Sequence, residues 1–348
     1  MESVAYYRKY RPKSFKDVIG QDHIVKTLEG ALKLGHVFHA YLFAGSRGTG
    51  KTTLARIVAK EVGASANDIY EIDAASNNGV DEIRALNEAV NTLPLESPYK
   101  VYIFDEVHMF SKSAFNALLK TLEEPPKHVV FILATTEIEK LPETVVSRCQ
   151  TFQFRKPSRE VLKKSAIAVA EKEGFALEGG AADLVALLGE GSFRDTQGIL
   201  QKIVSASKDK KISLAEVEMV TGAPRNSLVN NFIAAIQEKK IEEAFRSLHL
   251  ALEANVDAQI FLKLVLEKLR FILLLRYAND MEEEIIAEVS SDDFAFLKKF
   301  AIAKDSSISS ALLSAFLAVY DSVGRAHIPA LPIELALVKL FSPNEVVC

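Results

Sequence analysis

The chain has 348 residues, 49% hydrophobic and 25% charged, enough apolar material for two or three cores at ~100–200 residues per domain. Its 42 basic and 46 acidic side chains leave a net charge of −4, which excludes nucleic-acid binding by bulk charge and confines any such contact to a local patch. Its two cysteines, Cys149 and Cys348, exclude a multi-bridge disulfide framework and a four-cysteine metal site and fit a reducing compartment, while no charged-then-apolar leader and no run of ~18 apolar residues suggests export or membrane spanning.

The densest basic patch lies in the first 16 residues, where Arg8, Lys9, Arg11, Lys13 and Lys16 face only Glu2. Beyond it, "AYLFAG", "DIYEID", "KVYIFD" and "VVFILATT" read as short strands buried on both faces. Helical patterns at 51–62, 79–91 and 111–122 fall between them, and that alternation predicts an α/β domain with a parallel, doubly wound sheet. After Pro157 the β runs stop. Residues 158–173, 181–188 and 193–204 read as amphipathic helices punctuated by Gly174, Gly179-Gly180 and Gly189/Gly191. A break at "TGAPRNS" precedes a third region in which "SLVNNFIAAIQ", "IEEAFRSLHLALE", "AQIFLKLVLEKLRFILLLRYA" and "SALLSAFLAVYDSV" have helical spacing. Its "FILLLRYA" segment, broken by Arg276, reads as a buried helix. The expected organisation is an α/β domain at 1–156, a small helical lid at 157–222 and an all-α domain at 223–348.

One motif carries chemistry by itself. "GSRGTGKT" (Gly45, Ser46, Arg47, Gly48, Thr49, Gly50, Lys51, Thr52), followed by Thr53, matches G-x-x-x-x-G-K-[ST] between a predicted strand and a predicted helix. Its glycines let backbone N–H groups close around phosphate oxygens, and the helix N-terminus favours an anion. Lys51 is placed to reach the β/γ oxygens and Thr52 to offer its hydroxyl to Mg²⁺, so ATP with Mg²⁺ is the expected ligand pair.

Further along, "VYIFDEVH" ends a strand in Asp105 and Glu106, at the carboxyl edge where doubly wound sheets bind ligands. Asp105 is expected to hold Mg²⁺, directly or through water, and Glu106 to orient the water that attacks the γ-phosphate. A single histidine beside a site is more often a packing or hydrogen-bonding residue, so His108 carries no assigned role. Thr135 and Thr136 end "VVFILATT"; a hydroxyl there suits a γ-phosphate sensor, but threonine is also an ordinary β-former. Arg148, in "LPETVVSRCQ", stands roughly a hundred residues beyond the phosphate loop, and its own surroundings leave a surface, packing or catalytic role open. Cys149 reads as a small buried apolar residue.

The ordered set "YRKYRPKSFKDVIGQDHI", "HAYLFAGSRGTGKTTLARIVAK", "EIDAASNNGVDEIR", "KVYIFDEVHMFSKSAFNALLKTLEEPP", "FILATTEIEKLPETVVSRCQTFQF" and "GSFRDTQGIL" resembles the AAA+ clamp-loader ATPases, and within them the DNA polymerase III gamma/tau family. The likeness is dense from residue 4 to about 222 and loose beyond. It implies an AAA+ α/β domain, a lid and a helical collar that oligomerises. It places Arg11, Val18 and Ile19 near the adenine, Thr136 at sensor 1 and Arg194 of "GSFRD" at sensor 2. "SRC" is the family's arginine-finger motif, which implies that Arg148 serves the ATP of an adjacent subunit. An always-protonated guanidinium suits that task, since it neutralises charge developing on a transferring phosphoryl group.

The resemblance further implies partners: delta- and delta-prime-like loader subunits in a pentameric hetero-oligomeric ring, a sliding clamp, and primer–template DNA held by phosphate contacts from helices beginning near Asn77-Asn78-Gly79 and Ser111-Lys112-Ser113. Ordinary capped surface helices would look the same in sequence. It implies a motor rather than a nucleotide-joining enzyme, in the cytoplasm at replication forks, with no membrane partner. Two departures stand out. Relatives carry a four-cysteine zinc module where this chain has only "EVGASAND", so no zinc is expected. The chain also ends at Cys348 without the longer members' tail, as a short gamma-like form or as a fragment would. Two rival readings remain: another AAA+ ATPase acting in recombination or repair, and a structural loader subunit that only lends its arginine.

Overall fold

The strands at 40–44, 100–105 and 129–135 are buried on both faces, and that pattern produces the centre of the sheet; the strand at 69–73, expected to be buried on both faces, lies at an edge and is partly exposed. The computed structural model describes residues 4–207, 209–254, 256–289, 291–303 and 305–341; Cys348 lies outside them. Strands β1 (Ala40–Ala44), β2 (Ile69–Asp73), β3 (Lys100–Asp105), β4 (Val129–Thr135) and β5 (Gln150–Gln153) form one parallel sheet in the order β2-β3-β4-β1-β5. The four predicted strands are all present. β5 was not predicted, because "TFQF" at a sheet edge is too short and too polar to read as a strand.

Period-2 alternation sorts the side chains onto two faces. Tyr41, Phe43, Val101, Ile103, Val130 and Ile132 pack with Ile24 and Leu28 of α2 (Asp22–Lys33, after the short α1, Tyr6–Lys9) and Leu54 and Val58 of α3 (Lys51–Glu61). On the other face Leu42, Phe104, Phe131 and Leu133 pack with α4 (Val80–Val90), α5 (Lys112–Glu123) and α6 (Glu143–Val146). Phe43, Phe104 and Phe131 are fully buried, and truncating any one to alanine costs about 3–5 kcal/mol. The consequence for function is rigidity. All loops at the carboxyl edge hang from fixed strands.

The short connection between α3 and β2 is organised around one carboxylate. Asp68 closes the 3-10 turn Ala66–Asp68 and is fully buried. It accepts hydrogen bonds from Ser65 Oγ (3.0 Å), the backbone N–H groups of Glu96 and Ser97 (3.0 Å each) and Leu95, and Ser97 Oγ (2.7 Å). Burial alone would raise its pKa; the donors from Ser97, Leu95, Glu96 and Ser65 more than reverse that and hold it well below the ordinary carboxylate range. Asp68 thus ties "EVGASAND", the interval that lacks a zinc module, to the loop before β3.

The backbone divides into two compact units. The first comprises residues up to Ser165 together with Gly189–Gly198; the second comprises Ala166–Leu188 and residues from Ile199 on. Gly189–Gly198, expected within the lid, groups with the phosphate-loop unit. α7 (Arg159–Lys172) and α9 (Phe193–Ala206) run from one unit into the other, with α8 (Gly179–Leu188) between them in the chain. Two short strands, β6 (Ala176–Leu177) and β7 (Lys211–Ile212), pair in parallel in the second unit, where no β structure was expected. At two residues each they carry no periodicity to read.

In the second unit α10 (Leu214–Thr221) starts at a Ser213–Glu216 capping box and is followed by α11 (Asn226–Gln237), α12 (Ile241–Glu253), α13 (Ala258–Tyr277), α14 (Glu282–Glu288), α15 (Ser291–Ala301), α16 (Ser310–Val323) and α17 (Leu331–Phe341). Phe232, Phe261 and Phe316 sit fully buried at the centre of this helical core. Arg276, which interrupts the most apolar run, is a working part of it. Its guanidinium donates to the carbonyls of Phe300 (2.9 Å), Ala301 (3.1 Å) and Ile308 (2.6 Å), capping α15 and holding the segment before α16.

Asp68→Asn should lower the melting temperature by several degrees at neutral pH. Because the folded-state pKa is depressed, the stability it confers is present above the unfolded value near 3.9 and lost as pH falls through the folded one. The gap between variant and wild type should therefore narrow steadily below about pH 4 in calorimetry. A gap that stays constant down to pH 2 would contradict the carboxylate role.

Candidate nucleotide and magnesium site

β1 leads into the phosphate loop and α3 leads out of it. Gly45 has φ +151°, and its N–H donates to the Thr135 carbonyl at the end of the adjacent strand β4 (3.1 Å). Gly48 and Gly50 have φ +73° and +102°, in the left-handed region that favours glycine. A side chain at Gly48 would also overlap Ser192, whose Oγ lies 1.9 Å from an ideal Cβ position. Thr49 is buried and bonds the Ser46 carbonyl (2.9 Å), while Ser46 and Arg47 are exposed. Thr53 lies half-buried behind Thr52 on the first turn of α3.

Lys51 opens α3 and is 5% exposed, with its ammonium folded back on the carbonyls of Gly45 (2.7 Å) and Ser46 (3.0 Å). The next residue, Thr52, donates its hydroxyl to Asp105 Oδ2 (2.8 Å). Asp105 ends β3, and its other oxygen accepts the Glu106 N–H (3.1 Å). Glu106 adopts φ +49°, ψ +45°, a left-handed conformation uncommon outside glycine, asparagine and aspartate. Its Oε2 accepts from Thr136 Oγ1 (3.0 Å) and the Thr136 N–H (3.3 Å). That separates the two threonines. Thr136 touches the Glu106 carboxylate, whereas Thr135 is buried in β4.

His108 is a packing and hydrogen-bonding residue, as a lone histidine beside a site is expected to be. Its Nδ1 lies 3.1 Å from Thr135 Oγ1 and 3.5 Å from Glu106 Oε2, and its Nε2 lies 3.2 Å from Glu137 Oε1. It fills the space behind Glu106 and joins it to Glu137, which Lys140 in turn pairs (2.6 Å). No spacing rule points to this contact, since strand ends that are distant in sequence create it.

Burial acts in opposite directions on the two charged groups of the site. Burial pulls the Lys51 pKa down, against the pull of Glu106 and Asp105. Burial pushes the Asp105 carboxyl up, and the negative Glu106 adds to that, while the Thr52 bond opposes it. Burial thus disfavours the charged form of both groups, although Lys51 and Asp105 attract each other. A ligand that brings a polyphosphate and a divalent cation together answers both. The donors fit magnesium: Thr52 hydroxyl and Asp105 carboxylate oxygens stand 2.8 Å apart. The described residues contain no cluster of three or more His, Cys, Asp or Glu side chains able to hold a metal ion. A hard cation at Thr52 and Asp105 would therefore complete its shell with phosphate and water oxygens, as magnesium commonly does.

Arg194 lies at the start of α9, beside the loop. The Phe193 N–H donates to the Gly48 carbonyl (3.0 Å), and the Arg194 guanidinium sits 4.9 Å above the ring of Tyr7. Tyr7 opens the first of the family motifs without any role of its own there, and only its place under Arg194 singles it out. Gln21 is a second residue whose part the sequence does not reveal. It is 1% exposed and binds residue 155 from both sides, Nε2 to the Arg155 carbonyl (2.7 Å) and Oε1 from the Arg155 N–H (3.2 Å). Val18 packs on the α2/α3 face of the sheet and Ile19 is half exposed. Arg11 is half-buried near Arg56, Glu71 and Tyr7. Among the described residues no hydrogen bond joins Arg11, Val18 or Ile19 to the phosphate loop.

Arg148 follows α6, just before β5, and does not contact the site of its own chain. Nη1 donates to the Thr144 carbonyl (2.6 Å) and Nη2 pairs with Glu123. Cys149 packs against the α4/α5 face, and burial pushes its thiol up to about 12.

Gly48→Ala should weaken binding of a fluorescent ATP analogue at least tenfold with the circular dichroism unchanged, since the added methyl both strains φ and displaces Ser192. Affinity within twofold of wild type would show that the loop tolerates what its geometry forbids.

Three comparisons bear on this arrangement. A family model described as DNA polymerase III, delta subunit, matches residues 63–158. The DNA polymerase III subunit tau of Bacillus subtilis is 38% identical over 314 residues, covering 84% of this chain and 55% of that protein. The DNA polymerase III subunit gamma of Buchnera aphidicola subsp. Baizongia pistaciae is 32% identical over 345 residues, covering 87% of this chain and 93% of that protein. Among solved structures, the Thermotoga maritima RuvB Holliday junction branch migration motor superposes with a TM-score of 0.54 at 23% identity, over 65% of this chain and 79% of that one. That likeness speaks for the fold, a P-loop AAA+ α/β domain followed by helical structure. This chain spans little more than half the length of the Bacillus relative but nearly all of the Buchnera one, and it belongs to the DNA polymerase III gamma/tau family.

Proposed function

We propose that the chain is an ATP-hydrolysing motor subunit of a sliding-clamp loader, acting in DNA replication with the DNA polymerase III holoenzyme and joining no nucleotides itself. The observation that carries this reading is the Lys51–Thr52–Asp105–Glu106 constellation, with a buried ammonium and a half-buried carboxylate whose charged forms burial disfavours. Family membership adds to it, through relatives named as DNA polymerase III subunits.

In this reading the phosphates of ATP lie along the N–H groups of Gly45 to Thr52, and Lys51 turns from the loop carbonyls to their β/γ oxygens. Magnesium, bound between Thr52 and Asp105, would neutralise phosphate charge. Glu106 orients the attacking water and accepts its proton, and Thr136, bonded to that same carboxylate, registers whether the γ-phosphate is in place. Arg194, resting on Tyr7, is the lid arginine that reaches γ-phosphate. Arg11, Val18 and Ile19 form the adenine side. The in-line attack places negative charge on the γ-phosphoryl group, and Arg148 of an adjacent subunit supplies the positive charge that answers it.

The partners follow the same reading: delta- and delta-prime-like subunits in a pentameric ring, a clamp, and primer–template DNA, in the cytoplasm at replication forks. The division at residues 156 and 222 is proposed as motor domain, sensor-bearing lid and collar. No helix among the described residues is long and apolar enough to cross a membrane. The starts of α4 and α5 lie side by side, with the Ser111 N–H donating to the Asn78 carbonyl (3.2 Å) and Ser111 Oγ capping α5. The N-terminus of α5, which begins with Lys112, suits a DNA backbone, which such groups bind without reading sequence; Asp81 and Glu82 in the first turn of α4 do not.

Lys51→Ala should abolish ATP turnover in the assembled loader, and Arg148→Ala should reduce it by roughly 10³-fold or more, the range known for arginine fingers. Unaltered turnover in Lys51→Ala would favour a structural subunit instead. Lys112→Glu should lower the slope of log affinity for primed DNA against log salt by about one. An unchanged slope would remove Lys112 from the DNA path.

A further inference from the structure

We infer that Glu123 is the positioning residue of the arginine finger, holding the Arg148 guanidinium at the edge of the molecule in the orientation it presents to a neighbouring chain. The inference rests on the reading of Arg148 as a trans-acting group and names the residue through which this chain controls it.

Glu123 breaks a local rule. It is the last residue of α5, where the helix dipole disfavours negative charge, and Glu124 follows it immediately as the C-cap. Of the basic residues in that last turn only Lys120 precedes it. An acid placed against the dipole asks for a cation from elsewhere, and Arg148, 25 residues on, supplies it. Pro125 and Pro126 stop the helix at this point, so that the carboxylate cannot drift with a fraying end.

Both ends of the pair are mounted on buried structure. Leu122, beside Glu123, is fully buried, as are Leu118 one turn back and Ala114 at the start of α5. Val145 of α6 is fully buried, and Cys149 packs against the same core. Two residues beyond Arg148 the chain enters β5, whose Gln150 is in register with Tyr41 of β1. The two backbones are therefore fixed, and what remains free is the rotamer of a long arginine. The Glu123 carboxylate and the Thr144 carbonyl settle that rotamer by taking one N–H each from Nη2 and Nη1. The guanidinium has five N–H donors, so others remain for phosphate oxygens, and among the described residues Nε has no hydrogen-bond partner.

The pair is not a stability device. Its side chains are 33% and 48% exposed, and ion pairs so exposed contribute little to folding. Its use is in orientation. A catalytic group misplaced by about 1 Å loses up to ~10² in rate, and a rigid second residue prevents that. Through α5 the orienting carboxylate is also joined to the loop that begins at Glu106.

The test is turnover of the reconstituted loader with clamp and primed DNA, with kcat and KM measured separately. Glu123→Ala should lower kcat about tenfold or more while KM for ATP stays within twofold; Glu123→Asp should recover part of the loss, and Glu123→Gln, which keeps the shape but not the charge, should recover less. Melting temperature and binding of a fluorescent ATP analogue by the single chain should match wild type, which separates positioning from folding. In an Arg148→Ala background, Glu123→Ala should cause no further loss, because its effect passes through the arginine. Multiplicative losses, or full kcat in Glu123→Ala beside a damaged Arg148→Ala, would overturn this inference alone. Full turnover in Arg148→Ala would overturn it together with the trans-acting reading beneath it.

Discussion

A single hydrogen bond, from the Thr52 hydroxyl to the Asp105 carboxylate, brings the first turn of the phosphate-loop helix against the end of a different strand. Much of what the fold does is to make that bond possible. Lys100 and Val101 begin β3 deep in the sheet, the strand runs to the carboxyl edge beside β4, and β1 delivers the phosphate loop from the other side of β4. Two layers of buried side chains fix those strands. The bond therefore costs almost no ordering when a ligand arrives, which is the physical meaning of a preorganised site.

The same rigidity maintains local arrangements that would not survive by themselves. Glu106 sits at positive φ, Lys51 is a buried ammonium resting on carbonyls, and Asp105 is a carboxylate whose ionised form is disfavoured. Each is unfavourable alone, and the surrounding core over-determines all three. Around them Thr136, His108 and Glu137 form a ring of polar contacts behind the Glu106 carboxylate. The geometry places the acid, its hydroxyl partner and the strand ends in one connected network, so a displacement at any of them is felt at Glu106.

Which elements of this were legible in sequence follows from how local the signal is. The phosphate loop, Asp105 and Glu106 were readable because their chemistry fixes residue type and spacing within one strand–turn–helix unit. β1, β3 and β4 were readable because burial on both faces gives continuous apolar runs; β2, an edge strand left partly exposed, shows β-rich letters without that burial. β5, β6 and β7 were not, being short and partly polar, with pairing partners distant in sequence. Thr135 and Thr136 were indistinguishable as letters; Thr135 ends β4 against His108, and Thr136, one residue beyond the strand, reaches Glu106. Arg276 read as an interruption because its partners, three carbonyls at and beyond the end of α15, leave no trace in composition. His108, Tyr7, Gln21 and Glu123 share that difficulty, since each acts on a residue brought near only by tertiary packing. Arg148 carried no local signal at all; its proposed role comes from family likeness, and the structure adds that it points at nothing in its own site.

That last fact makes division of the active site between chains the central claim. The most direct measurement mixes two inactive chains. One carries Lys51→Ala and retains its arginine; the other carries Arg148→Ala and retains its phosphate site. Each is assembled separately, and then both together, with the same partner subunits, clamp and primed DNA. The account predicts negligible ATP turnover from either alone and recovery of a substantial fraction in the mixture, because the first chain's Arg148 completes the second chain's site. A mixture no more active than its components would contradict it.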